Sequence, residues 1–150
     1  MNHFNSDLQR GLRIEQLVLE EIRKRFKSAT LINAYKGYDI WVPEIDAGIE
    51  VKYDPMSNKT GNIVVEYEMN GKDSALMTTE AKWWVFYDDH KFMWITPRQI
   101  IKCIFDNKLQ HVEFTGRGDT KPKKAFLIKK DMLYYYGQGE SIDANFNHRH

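Results

Sequence analysis

Tyr38-Asp39-Ile40-Trp41-Val42-Pro43-Glu44-Ile45-Asp46-Ala47-Gly48-Ile49-Glu50-Val51-Lys52-Tyr53 is the stretch from which the rest of the chain is read. Two apolar runs flank a turn-like segment, residues 43–48, and together they read as a β-hairpin. Side chains alternate faces along a strand. Tyr38, Ile40 and Val42 therefore fall on one face of the first strand and Asp39 on the other. On the second strand Ile49, Val51 and Tyr53 share a face, and Glu50 and Lys52 share the opposite one. If the apolar faces bury together, Asp39, Glu50 and Lys52 converge on the far side of the hairpin.

Two carboxylates and an ammonium in one pocket are costly unless they neutralise one another or hold a cation. Paired carboxylates suit a hard, oxygen-seeking ion such as magnesium or manganese. A lysine beside them can polarise a phosphate or position an attacking water. The plain alternative is a surface hairpin with an ordinary Glu–Lys pair, because Glu-x-Lys recurs by chance in many proteins. Asp39 on its own strand, just after Gly37, is what lifts the site reading above that alternative.

The arrangement resembles the PD-(D/E)xK nuclease superfamily, which includes restriction endonucleases and Holliday-junction resolvases. The resemblance rests on Asp39, on Glu50-Val51-Lys52 and on the order of elements around them. In that family an acid ends one strand, the acid-x-Lys lies on the next, and a preceding helix often adds another acid. The proline that names the motif is absent here; Gly37-Tyr38 precedes Asp39. The resemblance implies an α/β, three-layer restriction-endonuclease-like fold with a mixed central β-sheet flanked by helices. It implies a magnesium-dependent DNA endonuclease, with manganese able to substitute. Asp39, Glu50, the backbone carbonyl of Val51 and Glu15 would hold the metal, and Lys52 would orient water or stabilise the pentavalent charge. The resolvase-like branch further implies branched or junction DNA of recombination and repair as substrate, and a homodimer. Two alternatives stand beside it: a non-catalytic nucleic-acid-binding protein that keeps the fold, and an RNA-cleaving relative.

Length and composition fit that class. At 150 residues the chain reads as one domain, long enough to bury a core. Hydrophobic residues at 42% and charged residues at 29% describe a soluble globular protein rather than a disordered one. No apolar run reaches membrane-spanning length, and the first residues do not read as a signal peptide. Cys103 is the single cysteine, which excludes an internal disulfide and fits a reducing cytoplasm; its Ile-rich neighbourhood reads as core packing. The net charge of +1 does not mark a nucleic-acid binder by itself. Residues 117–130 nevertheless carry Arg117, Lys121, Lys123, Lys124, Lys129 and Lys130 against Asp119, which is either a phosphate-binding patch or a solvated loop.

Along the chain, residues 6–27 read as an amphipathic helix opened by a Ser6/Gln9 capping box. Leu8, Leu12, Glu15, Leu19, Ile22 and Phe26 trace one stripe. Glu15 on a core-facing stripe needs a partner, either the metal site or a neighbouring Arg. Residues 29–35 read as a strand and residues 54–61 as a loop. Residues 62–69 alternate as a further strand, in which Glu66 is either a weaker site candidate or a plain exposed carboxylate. Residues 70–82 read as a loop leading into a short helix over 74–82. Lys72, Thr79 and Lys82 are candidates there for DNA phosphate contact, joined by Lys121, Lys123 and Lys124. Residues 83–87 and 92–95 form a hairpin whose aromatics, Trp83, Trp84, Phe86, Phe92 and Trp94, suit a sheet core better than base stacking. His90 in its turn has no second His or Cys at zinc spacing. Thr96-Pro97-Arg98-Gln99 starts a helix that buries Ile100, Ile101, Ile104 and Phe105. The rest reads as less regular, through 112–114 and the Gly/Lys-rich segment 116–124, with a short strand over 125–128; Tyr134, Tyr135 and Tyr136 pack back on the domain, and the chain from about 137 is expected to be loosely ordered.

Overall fold

The computed structural model describes residues 3–35, 37–115 and 121–137. The expectations for Arg117, for Asp119 and for the tail beyond 137 fall outside those residues. Helix α1, His3–Arg23, is followed by the strands β1, Thr30–Leu31, β2, Ile40–Val42, and β3, Ala47–Tyr53. A short helix α2, Ser57–Thr60, leads to β4, Asn62–Met69, and β5, Lys72–Asp73. Next come β6, Trp83–Tyr87, β7, Phe92–Ile95, and α3, Pro97–Asp106. The last elements are β8, His111–Phe114, β9, Lys123–Lys129, and α4, Lys130–Gly137.

The strands form two sheets. One is mixed, in the order β1-β2-β3-β6-β7, with β3 and β6 parallel and the other neighbours antiparallel. The second, β5-β4-β9-β8, is antiparallel throughout. The molecule is thus mixed α/β with a five-stranded mixed sheet. The sequence reading put the 62–69 strand into one central sheet; it belongs instead to the second.

Each face of the mixed sheet has its own core. Ile14, Val18, Leu19 and Ile22 of α1 pack with Ile40, Val42, Ile49, Val85 and Trp94. The opposite face, Trp84, Phe86, Met93 and Ile95, meets Ile63, Val65 and Ile128 of the second sheet, Ile100, Cys103 and Ile104 of α3, and Leu133 of α4. Cys103 is fully buried there, as its neighbourhood implied.

Several elements depart from the sequence reading. The buried stripe of α1 starts at Ile14 and runs through Val18 and Ile22, whereas Leu8 and Leu12 are 53% and 51% exposed. The α1 residues from Ile14 on are the ones that join the core of the mixed sheet, with β1 and β3 its main sheet neighbours. The first strand shrinks from seven residues to Thr30–Leu31, because Ala34 takes a positive φ of 60° that turns the chain. The 54–61 loop contains α2, closed by Gly61 at φ 73°. The helix over 74–82 is absent; Ala75–Met77 makes one 3-10 turn. Beyond it the Glu80 N–H donates to the Gly37 carbonyl and the Lys82 N–H to the Gly48 carbonyl, which holds the segment extended. Asn70 and Gly71, both at positive φ (52° and 79°), form a two-residue turn joining β4 to β5, the conformation that favours Asn-Gly.

Helix α3 keeps its capping box, with Thr96 Oγ1 accepting the Gln99 N–H and Gln99 Oε1 accepting the Thr96 N–H. Its buried face is Ile100, Cys103 and Ile104; Ile101 is half out and Phe105 is 76% exposed. Tyr134 and Tyr136 pack against the second core, on a helix the sequence reading did not foresee, while Tyr135 faces solvent.

Candidate active site

The site forms where β2 and β3 part. The two strands pair Ile40 with Ile49, Trp41 with Gly48 and Val42 with Ala47. The 3-10 turn Pro43–Ile45 and Asp46, in the left-handed region at φ 48°, join them. The Gly48 carbonyl accepts from Lys82 on the β6 side. By alternation Ile49 and Val51 turn their backbone groups toward β2. The Ile49 carbonyl accepts the Asp39 N–H at 2.9 Å. One step on, β2 has ended, and the Asp39 carboxylate replaces the missing ladder partner: its Oδ2 accepts the Val51 N–H at 2.7 Å. The Val51 carbonyl faces this same opening.

The chain bends at Asp39, and this changes which side Tyr38 occupies. Its ring does not share the Ile40 face. It lies over Gly48, where a Cβ would come within 2.4 Å of the ring, and its centroid is 5.6 Å from that of Trp41. Glycine at 48 is what lets the ring close over the strand beside Asp39.

Glu50 and Lys52 do share a face, the one covered by the second core. Lys52 Nζ is 3.2 Å from Glu50 Oε2 and 5.0 Å from the centre of the Trp84 ring, a cation–π contact that fixes the ammonium. Burial pushes the Glu50 carboxyl up to about 7; Lys52 opposes this, and the hydrogen-bonded Asp39 adds to it. Glu15 on α1 is half-buried, and its carboxyl is raised by burial and by the charge of Asp39. The structure therefore gathers Asp39, Glu50, Lys52 and the Val51 backbone, with Glu15 near enough to feel Asp39. Among the described residues no three His, Cys, Asp or Glu side chains come together as a ready metal cluster. The tight set is two carboxylates and a carbonyl.

Hard oxygen donors of this kind fit magnesium or manganese. Burial, the largest cause of the Glu50 shift, disfavours its charged form, and a bound cation would offset that cost.

The other candidates lie apart. Glu66 accepts from Ser74 Oγ at 2.7 Å and faces Lys123 Nζ at 3.6 Å, within the second sheet. Lys123 and Lys124 sit on β9 rather than in a loop, and Lys124 pairs with Glu68 at 3.3 Å. Lys72, Lys82 and Lys121 are exposed. Thr79 does not start a helix; its Oγ1 accepts from the Ala81 N–H at 3.2 Å and from Trp84 Nε1 at 3.1 Å. The sequence reading did not single out the roles of Trp84 under Lys52 and of Gly48 under Tyr38, both of which follow from strand register.

Among the described residues no helix is long and apolar enough to cross a membrane. Comparisons with protein-family profiles, with curated proteins and with solved structures return no match.

Proposed function

We propose that this chain is a metal-dependent endonuclease that hydrolyses DNA phosphodiesters, using magnesium or manganese, in the manner of the PD-(D/E)xK nucleases it resembles. The observation that carries the reading is the Asp39 carboxylate standing in for a backbone partner of Val51, next to Glu50 and its Lys52 pair. Strand alternation turns the Val51 carbonyl to the same side as its N–H, which supports reading the acid, the acid-x-Lys and that carbonyl as one site. The five-stranded mixed sheet with α1 on one face supports a restriction-endonuclease-like arrangement.

Asp39, Glu50 and the Val51 carbonyl would hold the cation. When bound, it would acidify a water and shield the scissile phosphate. Lys52, held by Glu50 and the Trp84 face, presents its ammonium to a phosphate oxygen or to the attacking water and stabilises charge that grows in the transition state. Glu15 supports the site by biasing the charge around Asp39. The described elements all belong to the two sheets and their covers. This economy favours a structure-selective enzyme, acting on junctions or branches, over one that reads a long sequence; the homodimer rests on the resolvase-like resemblance alone. The buried Cys103 suits a reducing compartment.

Purified Asp39→Asn, Glu50→Gln and Lys52→Ala should each lose about three or more orders of magnitude in magnesium-dependent cleavage. The panel is linear, nicked, flapped and four-way DNA, with matched RNA. Cleavage by the three variants at the wild-type rate would overturn the mechanism. Metal-independent binding without cleavage would point to a binding module, and cleavage of RNA alone to an RNA-cutting enzyme.

A further inference from the structure

Beside Glu50 lies a small cavity of about 70 Å³, lined by Glu50, Ala75, Thr78, Thr79 and Trp84. That is room enough for ordered water, which needs about 10–15 Å³ of such space. A hydroxyl has two acceptor lone pairs and one proton to donate. Both acceptor sites of Thr79 Oγ1 are engaged, by the Ala81 N–H and by Trp84 Nε1. What remains is its proton, for which the described residues offer no acceptor in direct reach. Glu50 lines the same cavity, and a carboxylate has acceptor capacity beyond its contacts with Lys52 and Asp39.

We propose that Thr79 is a positioning residue for Glu50, acting through ordered water held in the cavity that the two side chains share. The water accepts from Thr79 Oγ1 and donates to the Glu50 carboxylate. This water adds to the contacts Glu50 already has with Lys52 and Asp39, so that its rotamer is fixed before any cation or DNA arrives. The 3-10 turn Ala75–Met77 contributes Ala75 to the cavity wall and leads the chain into Thr78 and Thr79, which also line it. The inference deepens the nuclease reading and rests on it for the importance of Glu50, but its first test does not involve cleavage.

High-resolution crystal structures of the metal-free wild type, Thr79→Val and Trp84→Phe provide that test. The wild type should show water within hydrogen-bond distance of both Thr79 Oγ1 and Glu50. Thr79→Val should lose it and show Glu50 in more than one rotamer. Trp84→Phe removes the Nε1 bond to Thr79 from the other side and should keep the water. If Thr79 merely seated the indole, the two variants would behave alike. A wild-type cavity without such water, or Glu50 ordered identically in Thr79→Val, overturns the proposal. In cleavage assays Thr79→Val should lower kcat about 10-fold or more with KM little changed, and Thr79→Ser should restore it. Unchanged kcat in Thr79→Val would equally reject the positioning role. A wild type that cuts no DNA would sink the nuclease reading while leaving the crystallographic comparison decisive for this one.

Discussion

Replacing Glu50 with Gln removes the charge that this fold accommodates least well. The Glu50 carboxyl moves from 4.5 to about 7, chiefly through burial. A carboxyl whose folded pKa lies above its unfolded value binds its proton more tightly in the folded chain. Stability is therefore full below the unfolded value, declines as pH rises through the folded one, and is level above it. At about 1.4 kcal/mol per pH unit, ionised Glu50 costs up to on the order of 3 kcal/mol at pH 8. Side chains and water relax around an ionised group, so roughly 1–3 kcal/mol is expected. Gln mimics the protonated form. In metal-free buffer Glu50→Gln should match the wild type at pH 4 and exceed it by that amount at pH 8. With a urea m-value of about 1–3 kcal/mol/M, the unfolding midpoint should rise by about 1 M. Saturating magnesium should close or reverse the gap, because ligand at 100 times its Kd adds about 2.7 kcal/mol to the wild type alone. Equal midpoints at both pH values, or a variant less stable than the wild type at pH 8 without metal, would refute the reasoning.

Three further predictions concern the scaffold. Asp88 is buried at the β6–β7 turn; burial raises its carboxyl, but Lys130 and the N–H groups of Lys91 and His90 outweigh this and hold it at about 2. Lys130→Met leaves that charge buried without its ion-pair partner and should cost about 3 kcal/mol in urea unfolding at pH 7. A depressed carboxyl contributes stability above its unfolded value and loses it as pH falls through the folded one, so the gap should close between about pH 4 and pH 2. Gly48→Ala drives a Cβ into the Tyr38 ring; about 1–3 kcal/mol of stability should be lost, and cleavage should fall as Asp39 shifts with its neighbour. Gly11→Ala, at a helical position with nothing within 4 Å of the added carbon, should raise the thermal midpoint, by about 0.5–1 kcal/mol in stability. A destabilised Gly11→Ala would show that α1 is packed differently near its start.

The central hairpin was legible in the sequence because period-2 alternation is a local signal, and Glu50 and Lys52 followed from it directly. Asp39 was placed at the right spot for a partly wrong reason. The reading gave it a regular strand face, whereas the structure puts its carboxylate in a ladder position left open by a bend. The bend goes together with Tyr38 folding over Gly48, a packing choice that no sequence periodicity reveals. The α1 and α3 stripes were misjudged for a similar reason. Leu8, Leu12 and Phe105 are apolar at helical spacing, but how far the sheet extends beneath a helix decides which turns are covered. The second sheet escaped because β4 and β9 are separated by more than fifty residues, and only their pairing, Val65 with Phe126 and its neighbours, reveals it. Asn70-Gly71 was a readable hairpin signal that a polar, Ser/Thr-rich context disguised as a helix entry. Thr79 was flagged for phosphate contact; its bonds to Trp84 and Ala81 became visible only once β6 was placed.

The account depends above all on one divalent cation lodging between Asp39 and Glu50. Crystals soaked in manganese and measured at the manganese absorption edge test this directly. The expected result is an anomalous peak within about 2.0–2.4 Å of both carboxylates and of the Val51 carbonyl. Saturating manganese with no peak there, and Lys52 still paired with Glu50, would contradict it.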